Sequence, residues 1–239
     1  DIVVFAGSAV GSVLSILRQI KRTYPINAYV VCLNTTNSSI FNASKYVTES
    51  IDIFANTNFS LFQQFQNWFA NKKFQQKPIL YCTTDTSCIF VNKQREWFSA
   101  NFELTIPSNE IITTYNTKGF AEIDAKIHGL KIPKSRKIEK QIDIQYILNN
   151  FIFPVIIKPT TAQAKKTIDF KTKIFHKKKA FEQFFNSNNQ LLNNIICQEY
   201  IPGKDENVYY YLFYRNKKGE LFENIGIKTL QSPPGAGIM

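Results

Sequence analysis

The sequence predicts an α/β protein in which a parallel sheet is followed by a second region of strands and helices. Over about the first 107 residues, short apolar runs alternate with segments of helical spacing, which is the pattern of a parallel sheet with crossover helices. Later, two apolar runs bounded by proline, 151–159 and 195–202, indicate buried strands. A hydrophobic content of 44%, with 21 Phe, is enough for packed cores.

The chain opens with a strand, a glycine turn and a helix. Residues 2–6 are apolar, Gly7 and Gly11 lie in the turn, and residues 10–20 carry apolar side chains at helical spacing. This unit is Rossmann-like. The two glycines do not complete the G-x-G-x-x-G pattern, so a structural turn is favoured over a dinucleotide site. An oxidoreductase, which would need a dinucleotide to bind near Gly7, therefore ranks behind the two functions considered below.

The same alternation continues through the first half. Strands are predicted at 28–33 and 78–82, and the aromatic stripe between them is typical of a core-facing helix. Its members are Phe59, Phe62, Phe65, Trp68 and Phe69. Asp85 follows a strand, where open α/β sheets bind ligands, and it can serve as a helix cap or as a substrate contact.

A helix is predicted from about residue 117 to Gly129, which is a typical C-terminal stop. The spacing places Phe120, Ile123 and Ile127 on the buried side. Lys118 lies at the helix start, where a cation is unfavourable for the helix dipole, so a functional reason for this lysine is favoured.

Lys158 ends an apolar, β-branched strand, and its ammonium group suits a phosphate oxygen. About 40 residues later comes Gln-Glu-Tyr-Ile-Pro-Gly-x-Asp, followed by a β-type run at 208–214. These two segments resemble the ATP-grasp superfamily, and within it the carboxylate–amine ligases that include D-aspartate ligases. The resemblance implies that Lys158 contacts the nucleotide phosphates.

The resemblance assigns further residues to nucleotide binding. Glu199, Tyr200 and Ile201 match the hinge, where a backbone carbonyl and a backbone N–H meet the adenine edge. Asp205 matches the carboxylate that binds the ribose hydroxyl groups, with Glu206 as the alternative.

Two lysines match family positions outside this stretch. Lys118 matches the lysine of the family's D-K-x-x-x-x-x-x-A-x-x-x-G-I-P segment, which also reaches ATP. Lys228, before Gln-x-Pro-Pro, matches a position facing phosphate or acyl phosphate and is the candidate catalytic residue, although an exposed strand lysine is an equal alternative. Residues 160–166 contain no glycine, whereas the family often has a glycine-rich flap over the triphosphate there.

The resemblance implies two domains and one reaction. Residues 1–112 would form a Rossmann-like pre-ATP-grasp domain, and residues 113–239 an ATP-grasp domain with its second lobe truncated. ATP would activate a small-molecule carboxylate as acyl phosphate for attack by an amine. The Mg²⁺ ligands are expected beyond the last residue, so the chain alone is expected to be inactive. A homodimer is compatible with this reading.

A net charge of +11 leaves other partners to consider. Eight lysines and one acidic residue lie between Lys158 and Lys179. A solvated face ranks first, steering of anionic substrates second, and a basic module that binds nucleic acid or another anionic polymer a distant third. That module is the alternative function.

Composition also limits metal and membrane chemistry. Four cysteines without a C-x-x-C pair, and two histidines, give no zinc pattern, so no metal ligand is assigned. Reduced thiols are favoured over a Cys82–Cys88 bridge. No apolar run approaches the roughly 18 residues of a membrane helix. A cytoplasmic enzyme is expected.

Overall fold

The computed structural model describes residues 1–7, 10–55, 60–116, 118–160, 164, 168–203 and 207–227, with residues 118, 119 and 121 described by their backbone alone. The chain divides into two compact units, Asp1–Asn116 and Thr117–Met239. The division predicted from the sequence, 1–112 and 113–239, falls inside a helix of the first unit and stays a prediction.

The first unit contains a five-stranded parallel sheet. Its strands are β1 (Ile2–Ala6), β2 (Ala28–Leu33), β3 (Glu49–Ile53), β4 (Ile79–Cys82) and β5 (Glu103–Leu104). Their order is β3-β2-β1-β4-β5, and every pair is parallel. The predicted parallel sheet is therefore confirmed. The sequence analysis missed β3 because its alternation of polar and apolar residues lacks the continuous apolar run of a buried strand.

Six helices of the first unit are described. They are α1 (Val10–Thr23), α2 (Ser38–Asn42), α3 (Leu61–Ala70), α4 (Asp85–Lys93), α5 (Arg95–Asn101) and α6 (Asn109–Tyr115). Ser60 and Thr84 begin α3 and α4 as capping boxes. Asp85 is exposed in the first turn of α4, after the cap residue.

Both faces of this sheet are buried. Alternate residues of β1 enter different cores, with Val3 and Phe5 in one and Ile2, Val4 and Ala6 in the other. All five β1 residues are buried. The predicted aromatic stripe lies in the Phe5 core, with Phe65 fully buried against Phe5 at a ring-centroid distance of 4.9 Å. Phe59 lies outside the described residues.

Gly7 follows β1 at the point where the sheet order reverses between β1 and β4. A Cβ atom added to Gly7 would lie 2.6 Å from Cγ2 of Thr84, the residue that caps α4. The close packing of this turn against Thr84 therefore requires glycine. This supports the interpretation of Gly7 as structural.

The second unit contains a four-stranded antiparallel sheet and a separate hairpin. Its elements are α7 (Lys118–Ile127), β6 (Ser135–Ile138), α8 (Gln141–Asn150), β7 (Val155–Pro159), β8 (Lys173–Phe175), α9 (Lys178–Ser187), β9 (Ile195–Glu199), β10 (Tyr209–Arg215) and β11 (Leu221–Ile227). The sheet order is β6-β9-β7-β8, with every pair antiparallel.

One face of this sheet packs against α8 and α9. The core contains Ile144 and Ile147 of α8, Phe181 and Phe185 of α9, and every second residue of the strands. Those strand residues are Ile138, Val155, Ile157, Phe175, Ile195 and Cys197. The helix before the Gln-Glu-Tyr-Ile strand, α9, is thus part of this core.

The predicted orientation of α7 is wrong. Phe120, Ile123 and Ile127 are 57%, 57% and 75% exposed, whereas Glu122 on another side of the helix contacts the sheet. Spacing alone identified the apolar stripe correctly but could not show which surface lies against it. The predicted helix end is confirmed, because Gly129 has φ of +70°.

The β10–β11 hairpin is exposed along almost its whole length. It pairs residues 209–215 with 221–227, and the first of these strands matches the β-type run predicted at 208–214. Among the described helices, none is long and apolar enough to cross a membrane.

Candidate functional site

The four-stranded sheet has a second face that carries polar side chains. Since successive residues of a strand point to opposite faces, the residues that alternate with the core residues point away from the core. On β7 these are Ile156 and Lys158, and on β9 they are Ile196 and Gln198. Ser135 of β6 pairs with Gln198, and we call this side of the sheet the open face.

Lys158 is half-buried on the open face, near the end of β7. Its Nζ donates a hydrogen bond of 3.0 Å to Oε1 of Gln198. Burial lowers the pKa of Lys158, while the negative charge of Glu122 opposes that shift. A cation with part of its hydration removed interacts more strongly with an incoming anion than an exposed one does.

A chain of hydrogen bonds links Lys158 to α7. Nε2 of Gln198 donates to Oε1 of Glu122 at 3.2 Å, and the Ser135 hydroxyl donates to the other oxygen of Glu122. The Gln198 amide therefore joins the ammonium group to a carboxylate without direct contact between the charges. The sequence analysis assigned no role to Gln198 or Glu122. The two-residue period of β9 places Gln198 and Ile196 on one face and could have indicated Gln198.

The predicted hinge follows directly from β9. Glu199 pairs with Val155 at the start of β7, and the Tyr200 N–H donates to the Pro154 carbonyl at 3.1 Å. Ile201 is 69% exposed, and its N–H donates to no backbone carbonyl among the described residues. The N–H of Ile201 is the one that the resemblance assigns to the adenine edge.

The hinge and Lys158 lie at a spacing that suits a nucleotide. Lys158 is three residues along β7 from Val155, the partner of Glu199. At about 3.3 Å per residue, Val155 and Lys158 are about 10 Å apart along β7. A nucleotide, with its base at one end and its phosphates at the other, has the length to reach from the hinge to Lys158.

The remaining predicted site residues are not characterised by side-chain geometry. The backbone places Lys118 at the first position of α7, the helix whose Glu122 contacts Gln198. Asp205, Glu206 and Lys228 lie outside the described residues. Their roles remain predictions.

A cavity of about 600 Å³ lies beside this network, between α7 and the β6–β9 side of the open face. Phe120, Ile123 and Lys126 line it from α7, and Lys137 and Ile196 line it from the sheet. Thr160, Asn193 and Asn194 also line it. We call this space the α7 cavity.

Metal chemistry finds no support in the described part of the chain. No group of three or more His, Cys, Asp or Glu that could hold a metal ion occurs among the described residues. All four cysteines are free, and burial raises the pKa of the Cys197 thiol to about 12, so it is protonated near neutral pH.

Comparison with solved structures identifies the fold. The chain resembles the L-amino acid ligase from Bacillus licheniformis with a TM-score of 0.66 and 12% identity, covering 95% of this chain and 50% of that one. It resembles N5-carboxyaminoimidazole synthetase from Staphylococcus aureus, solved with ADP, with a TM-score of 0.61 and 12% identity. That match covers 92% of this chain and 52% of the other.

A third similar structure is the biotin carboxylase domain of the 2-oxoglutarate carboxylase from Hydrogenobacter thermophilus, solved with MgADP and bicarbonate. The TM-score is 0.61 at 12% identity, with 92% of this chain and 48% of that chain covered. No family model matches the sequence. No curated protein matches it either.

These similarities confirm the predicted fold, that of the N-terminal portion of ATP-grasp enzymes. A Rossmann-like domain with a parallel sheet precedes an α+β lobe. The chain spans about half the length of the solved structures that it resembles. At these identities the comparison establishes the fold, and the chemistry has to be argued from the residues.

Proposed function

We propose that this chain carries the nucleotide-binding lobe of an ATP-dependent carboxylate–amine ligase. ATP phosphorylates a substrate carboxylate, with bond formation to the γ-phosphorus and release of ADP. An amine then attacks the acyl carbon, and the phosphate leaves and takes up the proton that the amine loses as the amide bond forms. The observation that carries the proposal is the position of Lys158. It is half-buried on the open face, about 10 Å along β7 from Val155, the strand partner of Glu199 in the hinge.

The proposed roles follow from the chemistry of each residue. Lys158 neutralises phosphate oxygens, and Gln198 holds its ammonium group in place. The carbonyl of Glu199 and the N–H of Ile201 bind the adenine edge, with Tyr200 between them. Such a site acts by positioning and charge stabilisation, so it needs no general base in this lobe.

Four residues without described side chains complete the proposal. Lys118, at the start of α7, is assigned to the nucleotide phosphates, and Asp205 or Glu206 to the ribose hydroxyl groups. Lys228 is proposed to stabilise the transferred phosphoryl group. Mg²⁺ would neutralise the phosphates when bound, but the described residues offer no group to hold it, so no step is assigned to the metal here.

The setting that suits this chemistry is the cytoplasm, with small-molecule carboxylate and amine partners. Four free thiols, two of them buried, accord with a reducing compartment. A homodimer is compatible with the same proposal.

ADP binding to the 239-residue chain tests the proposal. Titration calorimetry should detect ADP, and Lys158→Met should weaken it by about 30-fold, since a bond between charged groups contributes roughly 2 kcal/mol. The matched control is Lys173→Met, which changes an exposed lysine of β8 that packs 4.5 Å over the Phe184 ring. The control should bind ADP as the unmodified chain does.

The alternative predicts a different pattern. A basic polyanion-binding module would bind heparin or oligonucleotide with steep salt dependence and would treat both lysine variants alike. ADP binding that is undetectable, or equal in Lys158→Met and the unmodified chain, would overturn the ligase proposal.

A further inference from the structure

The α7 cavity has the size and the mixed lining of a small-molecule site. Its volume of about 600 Å³ lies within the roughly 300–1,000 Å³ that is usual for ligand pockets. Ile196 is 3% exposed on the strand side, whereas Phe120 and Ile123 are more than half exposed on the helix side. An apolar ligand body in this space would cover exposed apolar surface, which is favourable.

The cavity is separate from the path proposed for the nucleotide. Lys137 of β6 and Lys158 of β7 both pair with Ile196 of β9, one from each side. Two strand spacings place their Cα atoms about 10 Å apart. The nucleotide path runs over β7 toward Lys158, and the cavity lies over β6 and β9. A ligand in the cavity would therefore lie next to the phosphates.

Two asparagines at the cavity offer unused donors. Asn193 adopts φ of +70°, and its N–H donates to the Ile138 carbonyl at 2.8 Å. The Asn194 carbonyl accepts from the Thr160 N–H at 2.9 Å. These backbone bonds fix the turn. Both side-chain amides lack a hydrogen-bond partner among the described residues, so they are free to contact a ligand.

The charges that line the cavity favour an anion. Glu122 already accepts from Ser135 and Gln198. Lys126 forms no ion pair with any described residue, and Lys137 pairs at 2.6 Å with Glu139 at an exposed position. Exposed ion pairs are weak, so Lys137 can turn to a ligand at small cost.

Arg136 also lines the cavity, but it is committed elsewhere. Its guanidinium binds Asp143 at 2.6 Å and packs over the ring of Tyr146. Lys126 and Lys137 are therefore the described lining cations available to a ligand.

Glu122 is held by Ser135 and Gln198 and acts on the nearby charge of Lys158. A ligand carboxylate that binds Lys137 would displace Glu139, whose exposed side chain can turn to solvent.

We propose that the α7 cavity binds a small monocarboxylate with a compact apolar body, and that this is the carboxylate substrate of the ligase. The apolar body lies among Phe120, Ile123 and Ile196. The carboxylate lies toward Lys126 and Lys137, in the strand row that also contains Lys158. The assignment as substrate rests on the proposed function, but the binding itself does not.

Phenylacetate is a suitable probe, with phenylacetamide as its neutral counterpart. Titration of the 239-residue chain, followed by NMR line broadening of the probe, should give a dissociation constant for phenylacetate and a weaker one, by up to about fivefold, for the amide. Lys126→Met should weaken phenylacetate to a similar extent. Lys179→Met changes an exposed lysine on α9 and should have no effect.

A second pair of variants tests the location. Ile123→Trp fills the cavity and should abolish binding. Ile127→Trp lies one turn further along α7, at a residue that is 75% exposed and does not line the cavity, and should leave binding unchanged. Equal effects of Ile123→Trp and Ile127→Trp, equal binding of acid and amide, or undetectable phenylacetate binding would overturn the proposal.

The two proposals can fail separately. ADP binding depends on Lys158, whereas phenylacetate binding is measured without nucleotide. Phenylacetate binding with no ADP binding would preserve the carboxylate site and remove the ligase function. ADP binding with no phenylacetate binding would preserve the proposed ligase function and remove the carboxylate site.

Discussion

The two sheets of this chain differ in how many of their faces are buried. The five-stranded sheet of the first unit is buried on both sides, and β1 contributes to a different core on each. The four-stranded sheet of the second unit has one packed core, and its other face carries Lys158 and Gln198. Because both faces of the first sheet are buried, every side chain of β1 packs in a core. Because only one face of the second sheet packs in a core, the other face of β7 and β9 can present side chains such as Lys158 to a ligand.

The largest expected effect comes from the two-sided sheet. Phe5 is fully buried and contacts Phe65, Phe90 and Phe98, so Phe5→Ala should lower the free energy of unfolding by about 4 kcal/mol. Both tryptophans, Trp68 and Trp97, lie in the first unit, so the intrinsic fluorescence of tryptophan reports its unfolding in urea.

The matched control for this prediction is Phe213→Ala. Phe213 is 66% exposed on β10, and its loss should change the tryptophan transition by less than about 0.5 kcal/mol. Similar destabilisation by both variants would contradict the difference in burial on which the comparison rests.

Burial on two faces also explains which parts of the fold could be predicted from the sequence. Continuous apolar runs such as 2–6 and 28–33 mark strands that are covered on both sides, and these were predicted correctly. The half-exposed β3 was missed. The apolar stripe on α7 was identified, but it was wrongly predicted to be buried. Helical periodicity shows which residues share a face of a helix, but not which surface packs against that face.

The candidate site was only partly predictable for a similar reason. Lys158 is visible in the sequence because it ends an apolar run and precedes a proline. Its partners, Gln198 and Glu122, lie 40 and 36 residues away, and only strand register and helix packing bring them together. The α7 cavity draws on four separate segments, so no local pattern could indicate it.

A second prediction concerns the buried face of the second unit. Asp143 is 7% exposed at the start of α8 and accepts from the backbone N–H groups of Glu139 and Lys140 as well as from Arg136. Burial alone would raise the pKa of Asp143, but these bonds outweigh it and hold the pKa below its usual value. Asp143→Asn should therefore cost about 2 kcal/mol at pH 7.

The pH dependence of this effect has a definite sign. Because the pKa of Asp143 is lower in the folded state, its stabilisation is fully present above the unfolded pKa of about 4 and is lost as pH falls through the folded value. Urea unfolding, followed by hydrogen exchange of α8, should show that the difference in free energy of unfolding between Asp143→Asn and the unmodified chain becomes smaller below pH 4. The exposed Asp169→Asn should show no such change, and a difference that grows on acidification would contradict the assignment.

The smallest expected effect concerns the open face itself. Gln198→Leu removes the amide that accepts from Lys158 and donates to Glu122, so stability should fall by about 1 kcal/mol. Because burial already lowers the pKa of Lys158, losing this acceptor should lower it further. The pH midpoint of acylation at Lys158, followed by mass spectrometry, should move to lower pH.

The midpoint is informative because it reports protonation, whereas the rate also reports access to the amine. Gln145→Leu, at an exposed position of α8, should leave the midpoint of Lys158 in place. A midpoint that stays fixed in Gln198→Leu would mean that the amide does not hold the ammonium group. In that case the open face would offer Lys158 as an independent cation, and the link from the sheet to α7 would have no bearing on anion binding.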